Sequence, residues 1–329
     1  MIRRNFIAGL GVSAALPLAA RGQQGERVRR VGVLAGGSEK TQGVLVTAFR
    51  DGLAKLGWAE GRSLRIDVRF AAGDAYLLRA NAAELVRLTP EALVTNLGSG
   101  ITAAQEQTQT IPIIIAAGGD VFSTGRVKNI ARPEGNITGV AHAFSSIGGK
   151  WVELLKDAVP RLERIGVIYN PELSTGVNPG GYVGGIEEAA RVLGVKVVRI
   201  SYRDAVDVMR AVDSFATEPN SGLIVIPVVP NPALRETLVR LAVERRLPAM
   251  YFDASFAAEG GLMSYASNSL DLWRRASYFV DRILRGAKVS DLPVEYPTRF
   301  ELVVNLRTAR AIGLSIPESF LLRADQVIE

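Results

Sequence analysis

Val31-Gly32-Val33-Leu34-Ala35-Gly36-Gly37 and, 134 residues further on, Ile165-Gly166-Val167-Ile168-Tyr169-Asn170 decide how this chain folds. Each is a short Val- and Ile-rich run closed by turn residues, the pattern of a strand buried on both faces of a parallel sheet. Each also opens the same succession: strand, helix, Leu-Gly stop, strand, helix, strand, helix, Pro turn, strand. The first pass, residues 31 to 115, runs through Lys55-Leu56-Gly57, Leu64-Arg65-Ile66, a helix over 76–88, Ala92-Leu93-Val94 and Ile111-Pro112-Ile113-Ile114-Ile115. The second, residues 165 to 252, runs through Val192-Leu193-Gly194, Val195-Lys196-Val197-Val198, a helix over 205–216, Leu223-Ile224-Val225-Ile226 and Leu247-Pro248-Ala249-Met250. Gly57 precedes Gly194 by 137 residues and Pro112 precedes Pro248 by 136, so the offset holds along the whole repeat. Two similar lobes imply a cleft between them.

A chain of 329 residues with 48% hydrophobic content suits two α/β lobes, each a doubly wound parallel sheet. Three extended stretches sit where the chain would pass between lobes: Asn136-Ile137-Thr138-Gly139-Val140, Gly260-Gly261-Leu262-Met263-Ser264-Tyr265, and residues 292–306 with Pro293 and Pro297. Helices are expected over 148–158, 270–284 and 307–312, the last two stopped by Gly286 and Gly313. The resulting division is residues 23–140 plus 264–294 for the first lobe and 141–263 plus 295–329 for the second, joined by three crossovers that act as a hinge. Bending at such crossovers opens and closes a cleft around a small molecule, the venus-flytrap arrangement.

Residues 1–22 stand apart. Arg3-Arg4 precedes an apolar, small-residue run over 6–20, with Ala20 and Gly22 placed for cleavage before Gln23, the pattern of an export signal. Arg3-Arg4-Asn5-Phe6-Ile7 fits twin-arginine export, and the basic start fits general secretion as well. The apolar run of about 15 residues is short against the roughly 20 needed to span a bilayer, and no later segment is long and uncharged enough to do so. Removing Arg3, Arg4 and Arg21 with no acid lowers the formal charge from +6 to +3. With the remaining basic residues scattered, no nucleic-acid partner is expected. The absence of cysteine excludes disulfides, thiolate nucleophiles and sulfur-ligated metals.

Several further segments together resemble one family. They are Phe49-Arg50-Asp51-Gly52-Leu53 with Leu56-Gly57-Trp58, Ala71-Ala72-Gly73-Asp74-Ala75, Ala131-Arg132-Pro133-Glu134-Gly135-Asn136, Gly148-Gly149-Lys150-Trp151, Gly260-Gly261-Leu262-Met263-Ser264-Tyr265 and Phe300-Glu301-Leu302-Val303-Val304-Asn305. Over essentially the whole mature chain the sequence resembles the tryptophan-type substrate-binding proteins of bacterial ABC importers, whose fold is that of type I periplasmic binding proteins. The resemblance implies a periplasmic monomer that captures an aromatic or branched amino acid, or a related carboxylate, and delivers it to an ABC permease and its ATPase. It implies no catalytic activity and no cofactor. The chain departs from many relatives at Asn96-Leu97-Gly98-Ser99-Gly100, where they carry a Gly-Thr-Pro loop, and at Gly118-Gly119-Asp120, where they carry Ala-Asp-Pro.

In an open parallel sheet, ligands sit beyond the carboxyl ends of the strands, which selects the candidate loops. In the first lobe these carry Gly37, Ser38, Gly98, Ser99, Gly100 and Asp120. In the second they carry Asn170, Pro227 and Asp253, with Tyr182 at the start of a helix. Ser99 either offers its hydroxyl and neighbouring N–H groups to a carboxylate or caps its own helix. Asp120 and Asp253 either pair with a ligand ammonium or serve as turn and cap residues. Tyr265 either faces the cleft or packs at the hinge. Trp58, Trp151 and Trp273 are read as packing residues, and His142 as a hinge or surface residue that cannot form a metal site alone. No G-x-G-x-x-G, P-loop or G-x-S-x-G pattern is present. The rival readings are a periplasmic sensor that docks on a membrane receptor and a carboxylate-dependent α/β enzyme using Asp120 and Asp253.

Overall fold

The computed structural model describes residues 28–122, 124–141, 144–171, 181–227 and 232–329. Residues 1–22, read above as an export signal, and His142, Gly180, Val228 and Val229 lie outside them. The first pass forms β1 (Arg29–Ala35), α1 (Glu39–Lys55), β2 (Leu64–Phe70), α2 (Ala75–Arg87), β3 (Ala92–Asn96), α3 (Leu97–Gln107), β4 (Ile113–Ala117) and β5 (Ile137–Gly139). The strands pair in the order β2-β1-β3-β4-β5, all parallel. The second pass forms α4 (Phe144–Ala158), β6 (Arg164–Tyr169), α5 (Tyr182–Val192), β7 (Lys196–Ser201), α6 (Ala205–Phe215), β8 (Ser221–Val225), α7 (Pro232–Glu244), β9 (Ala249–Tyr251), α8 (Ala254–Ala258) and β10 (Met263–Ala266). Its strands pair in the order β7-β6-β8-β9-β10, so the second sheet repeats the topology of the first.

The repeated glycine has a packing cause. A Cβ on Gly32 would stand 2.9 Å from Leu93 Cδ1, and one on Gly166 would stand 2.7 Å from Ile200 Cδ1 and 3.0 Å from Leu223 Cδ2. Neighbouring β-strand side chains fill that space. Alternation then sends Val31 and Val33 to the α1 side of the first sheet and Leu34 to the α2–α3 side; Ile165 and Val167 face α4–α5, and Ile168 faces α6–α7.

After the repeat, α9 (Ser269–Leu284) returns to the first lobe, where Trp273, Phe279 and Val280 pack with Phe49 and Leu53 of α1. The chain then crosses back to form β11 (Glu301–Asn305), α10 (Leu306–Ala311), α11 (Glu318–Leu321) and β12 (Gln326–Ile328) at the edge of the second sheet. Two details differ from the expectation. Residues 264–266 pair within the second sheet, because β10 runs parallel to β9, so this crossing begins after Ala266. The β10–β11 pair is antiparallel, so the second sheet is mixed at that edge. The crossings therefore fall between β5 and α4, between β10 and α9, and ahead of β11. Residues 294–296 keep the third close to the first: Glu295 N–H donates to Gly139 O and Ala141 N–H to Glu295 O, each at 2.9 Å.

Among the described residues no helix is long and apolar enough to cross a membrane.

Candidate functional site

In a 2-1-3-4-5 sheet the chain leaves β1 and β3 in opposite directions, and the crevice at that switch is where loops converge. Here the loops after β1, β3 and β4 meet tightly. Asn96 Oδ1 accepts the buried Gly36 N–H at 3.0 Å. A Cβ on Gly36 would lie 2.9 Å from Leu97 Cδ1, and one on Gly119 would lie 2.4 Å from Ile101 Cδ1. Leu97 takes φ +62°, a left-handed conformation costly for a leucine, at the first position of α3. Only glycines beside it allow the backbones this close.

These loops and their counterparts in the second lobe enclose a cavity of about 200 Å³. Gly36, Gly37, Leu97, Gly98, Ser99, Gly118 and Gly119 form its first-lobe floor. Helix α3 starts there with no side-chain cap, so its first-turn N–H groups lie at the cavity wall without an intrahelical partner. Ser99 is the third residue of α3, not its cap; the cap position is Asn96. Ser99 therefore does not cap α3, and the Asn96 side chain does not do so either. From behind, Arg126 Nη2 donates to Thr102 Oγ1 at 2.7 Å, and Thr102 donates to Gly98 O at 3.0 Å. Burial holds the Arg126 guanidinium below its ordinary pKa.

The opposite wall is aromatic. Trp151 and Tyr182 stack with centroids 5.0 Å apart and planes at 21°, Tyr265 stacks on Phe300 at 5.4 Å and 16°, and Phe252 meets Phe256 edge-on at 5.2 Å. All six rings line the cavity, joined by Trp273 from α9. Burial lifts the Tyr182 phenol far above its usual range, with the charge of Asp120 adding to the shift, and burial also raises Tyr265. Both phenols stay neutral at physiological pH and act as hydrogen-bonding aromatic walls.

Of the residues expected at the site, Gly37, Gly98, Ser99, Tyr182, Pro227, Asp253 and Tyr265 line the cavity. Four do not. Ser38 is the N-cap of α1 in a capping box with Thr41. Gly100 turns its α-carbon toward Thr95, whose Oγ1 would be 2.3 Å from an added Cβ. Asp120 and Asn170 are buried behind the wall; Asp120 is close enough for its charge to raise both Tyr182 and Tyr296. Trp151 and Trp273, expected as packing residues, are buried in the core and also face the cavity, while Trp58 donates its indole N–H to Asp281 Oδ1 at 2.9 Å. Arg235, Ser255, Ser267, Ser269 and Phe300 are cavity residues that the strand-end rule did not select.

Asp253 is both cap and wall. Its Oδ1 accepts the Ser255 N–H at 3.0 Å at the start of α8 and the Ser255 hydroxyl, and its Oδ2 faces the Ser269 hydroxyl at 3.4 Å. Among the described residues no group of three or more His, Asp or Glu side chains gathers to hold a metal ion.

Comparison with known proteins places this geometry. The family model for ABC transporter substrate binding proteins matches residues 31–328. A tyrosine-binding protein of Clostridioides difficile is 26% identical over 274 residues, covering 81% of this chain and 75% of that protein. The ABC domain from Streptococcus pneumonia in complex with L-Trp is similar in structure, with a TM-score of 0.82 at 24% identity over 92% of this chain and all of that one. A ligand-free, open substrate-binding protein from Clostridium difficile, at the same 24% identity and 92% of this chain, gives 0.65. With a match spanning both lobes and the intervening cleft, the chain belongs to the ABC transporter substrate binding protein family.

Proposed function

We propose that the chain is the extracytoplasmic solute-binding component of an ABC importer and that its cargo is an aromatic amino acid, handed to a membrane permease driven by an ATPase. The single observation that carries this is the cavity itself. An aromatic wall from Trp151, Tyr182, Tyr265 and Phe300 faces an uncapped helix N-terminus at Gly98 and Ser99 across the two lobes. The wall suits a flat apolar side chain. The first-turn N–H groups and the Ser99 hydroxyl suit a carboxylate, because both the free donors and the helix dipole favour negative charge there. The tyrosine-binding and L-Trp-bound relatives support the same ligand class.

Residues 1–22 serve as the export signal in this reading, and the mature chain acts in the periplasm as a monomer without a cofactor. Relatives that are binding proteins, and a site whose polar groups are arranged as receptors, support a non-catalytic role.

The test is thermal unfolding of the mature protein, stripped of carried-over ligand by unfolding and refolding, against amino acids, sugars, purines and aromatic acids. A ligand at 100 times its Kd stabilises the native state by about 2.7 kcal/mol, a shift of several degrees. A shift with tyrosine, tryptophan or phenylalanine, and recovery of that ligand unchanged, is the expected result. A shift confined to sugars or purines would overturn the ligand class, and a ligand recovered chemically altered would overturn the non-catalytic role.

A further inference from the structure

We propose that Arg235 and Ser255 are positioning residues that aim the Asp253 carboxylate at a ligand ammonium group, so that the cleft selects amino acids over the corresponding acids lacking an amine. This rests on the cleft being a site for an aromatic ligand. Among the described residues, two carboxylates and one guanidinium line the cavity: Asp74, Asp253 and Arg235. Asp74 caps α2, its Oδ1 accepting the Leu77 N–H at 2.9 Å. Arg235 is committed as well, with Nε 2.7 Å from Glu259 Oε2 and its guanidinium 4.0 Å above the Phe256 ring. Asp74 is exposed to solvent, whereas Asp253 is half-buried at the cavity wall, so Asp253 is the carboxylate whose charge a bound cation would meet out of bulk water.

The direction of the hydrogen bonds around it is fixed by chemistry. Arginine can only donate, so Arg235 Nη2 donates to Ser255 Oγ, and the single hydroxyl proton of Ser255 is left to point at Asp253 Oδ1. The Ser255 N–H adds a second donor to the same oxygen. Oδ1 is thereby occupied twice and the carboxylate plane is held. Among the described residues, Oδ2 meets only the Ser269 hydroxyl, across a long 3.4 Å contact. An ammonium group supplies the short, charge-assisted bond that Oδ2 lacks. Ser269 opens α9, which packs on the first lobe, so a cation at Oδ2 would sit where the two lobes meet.

The experiment is calorimetric titration of the stripped wild-type protein with L-tyrosine, L-tryptophan, 3-(4-hydroxyphenyl)propanoate and indole-3-propanoate, repeated for Asp253→Asn, Ser255→Ala, Ser255→Thr and Arg235→Met. Wild type is expected to prefer each amino acid over its amine-lacking partner by about 30-fold or more, the scale of losing one partner of a buried charge pair. Asp253→Asn should bring that ratio near one. Ser255→Ala and Arg235→Met should shrink it by about fivefold while the propanoates keep their affinity, and Ser255→Thr, which retains the hydroxyl, should restore it. A purely structural role would weaken all four compounds in parallel and leave the ratio unchanged, which overturns the assignment. Equal wild-type affinity for amino acid and propanoate overturns it while leaving the aromatic cleft standing. Absence of binding by all four compounds overturns both.

Discussion

The indole N–H of Trp151 donates a 2.7 Å hydrogen bond to the backbone carbonyl of Tyr265. Trp151 lies on α4, immediately after one interlobe crossing, and Tyr265 lies in β10, just before another. The bond ties the two crossings together at the cavity wall, and the Tyr265–Phe300 stack extends the tie to the third. Trp151→Phe keeps a ring against Tyr182 but removes this donor. We expect it to cost about 1 kcal/mol of stability, lowering Tm by about 2–4 °C, and to weaken ligand binding by about fivefold. Scanning calorimetry and titration on the same preparation check both.

Ser99→Ala separates ligand binding from helix stability. Because Ser99 is the third residue of α3 and the helix has no side-chain cap, loss of its hydroxyl removes no cap. The ligand-free Tm should stay within about 1 °C of wild type, reflecting less than about 0.5 kcal/mol. Affinity for the amino acid should fall by about 10- to 100-fold, the worth of one hydrogen bond to a charged group. An unchanged affinity would remove Ser99 from the ligand's contacts.

Gly185→Ala should damage folding and binding together. A Cβ at Gly185 would stand 1.9 Å from Ser145 O, and one at Gly148 would stand 2.3 Å from Tyr182 O, so α4 and α5 touch backbone to backbone. Separating them costs about 1–3 kcal/mol and shifts Tyr182, which opens α5. A Tm drop of about 2–10 °C with reduced affinity is expected; Gly194→Ala, open in space but at φ +68°, should lower Tm without touching affinity.

Tyr251→Phe tests a buried hydroxyl with no hydrogen-bond partner among the described residues. Burial raises the Tyr251 phenol far above its ordinary value near 10, as it does for Tyr202. The folded state therefore holds these protons more tightly than the unfolded state. The associated stability is fully present below about pH 10 and declines as pH rises above it. Tyr251→Phe should leave stability at pH 7 unchanged or raise it by up to about 1 kcal/mol, and should flatten the alkaline decline seen in denaturant titrations between pH 9 and 11. A loss of more than 1 kcal/mol at pH 7 would mean the hydroxyl is satisfied in solution.

The paired lobes were legible because their information is local and repeated: Val31 to Leu34 and Ile165 to Ile168 each encode a buried strand, and the offset between Gly32 and Gly166 encodes the repeat. The antiparallel β10–β11 pair was not, since strand direction depends on where the chain returns from, and the pattern of Met263 to Ala266 is the same for either direction. At the site, loop residues such as Gly98 and Asp253 follow from strand ends and topology. Arg235, Trp273 and Phe300 come from a helix after β8, a helix borrowed from beyond the repeat and a crossing segment, so long-range packing alone brings them in. Ser38 closes a capping box with Thr41 and Asp120 is buried outside the cavity lining, because a polar residue at a strand end serves a cap or a buried turn as readily as a cavity wall.

Tyr265 and Phe300 are wall and hinge at once. If the proposed ligand presses on them it presses on the crossing segments themselves, so under the hinge reading the bulk of the ligand sets the angle between the lobes. A slightly larger compound can then fill the cavity tightly and still hold the lobes wider than the cognate one does. Under the proposed importer role, occupancy and delivery are then separable quantities, and a tight binder of the wrong size blocks transport rather than serving as cargo.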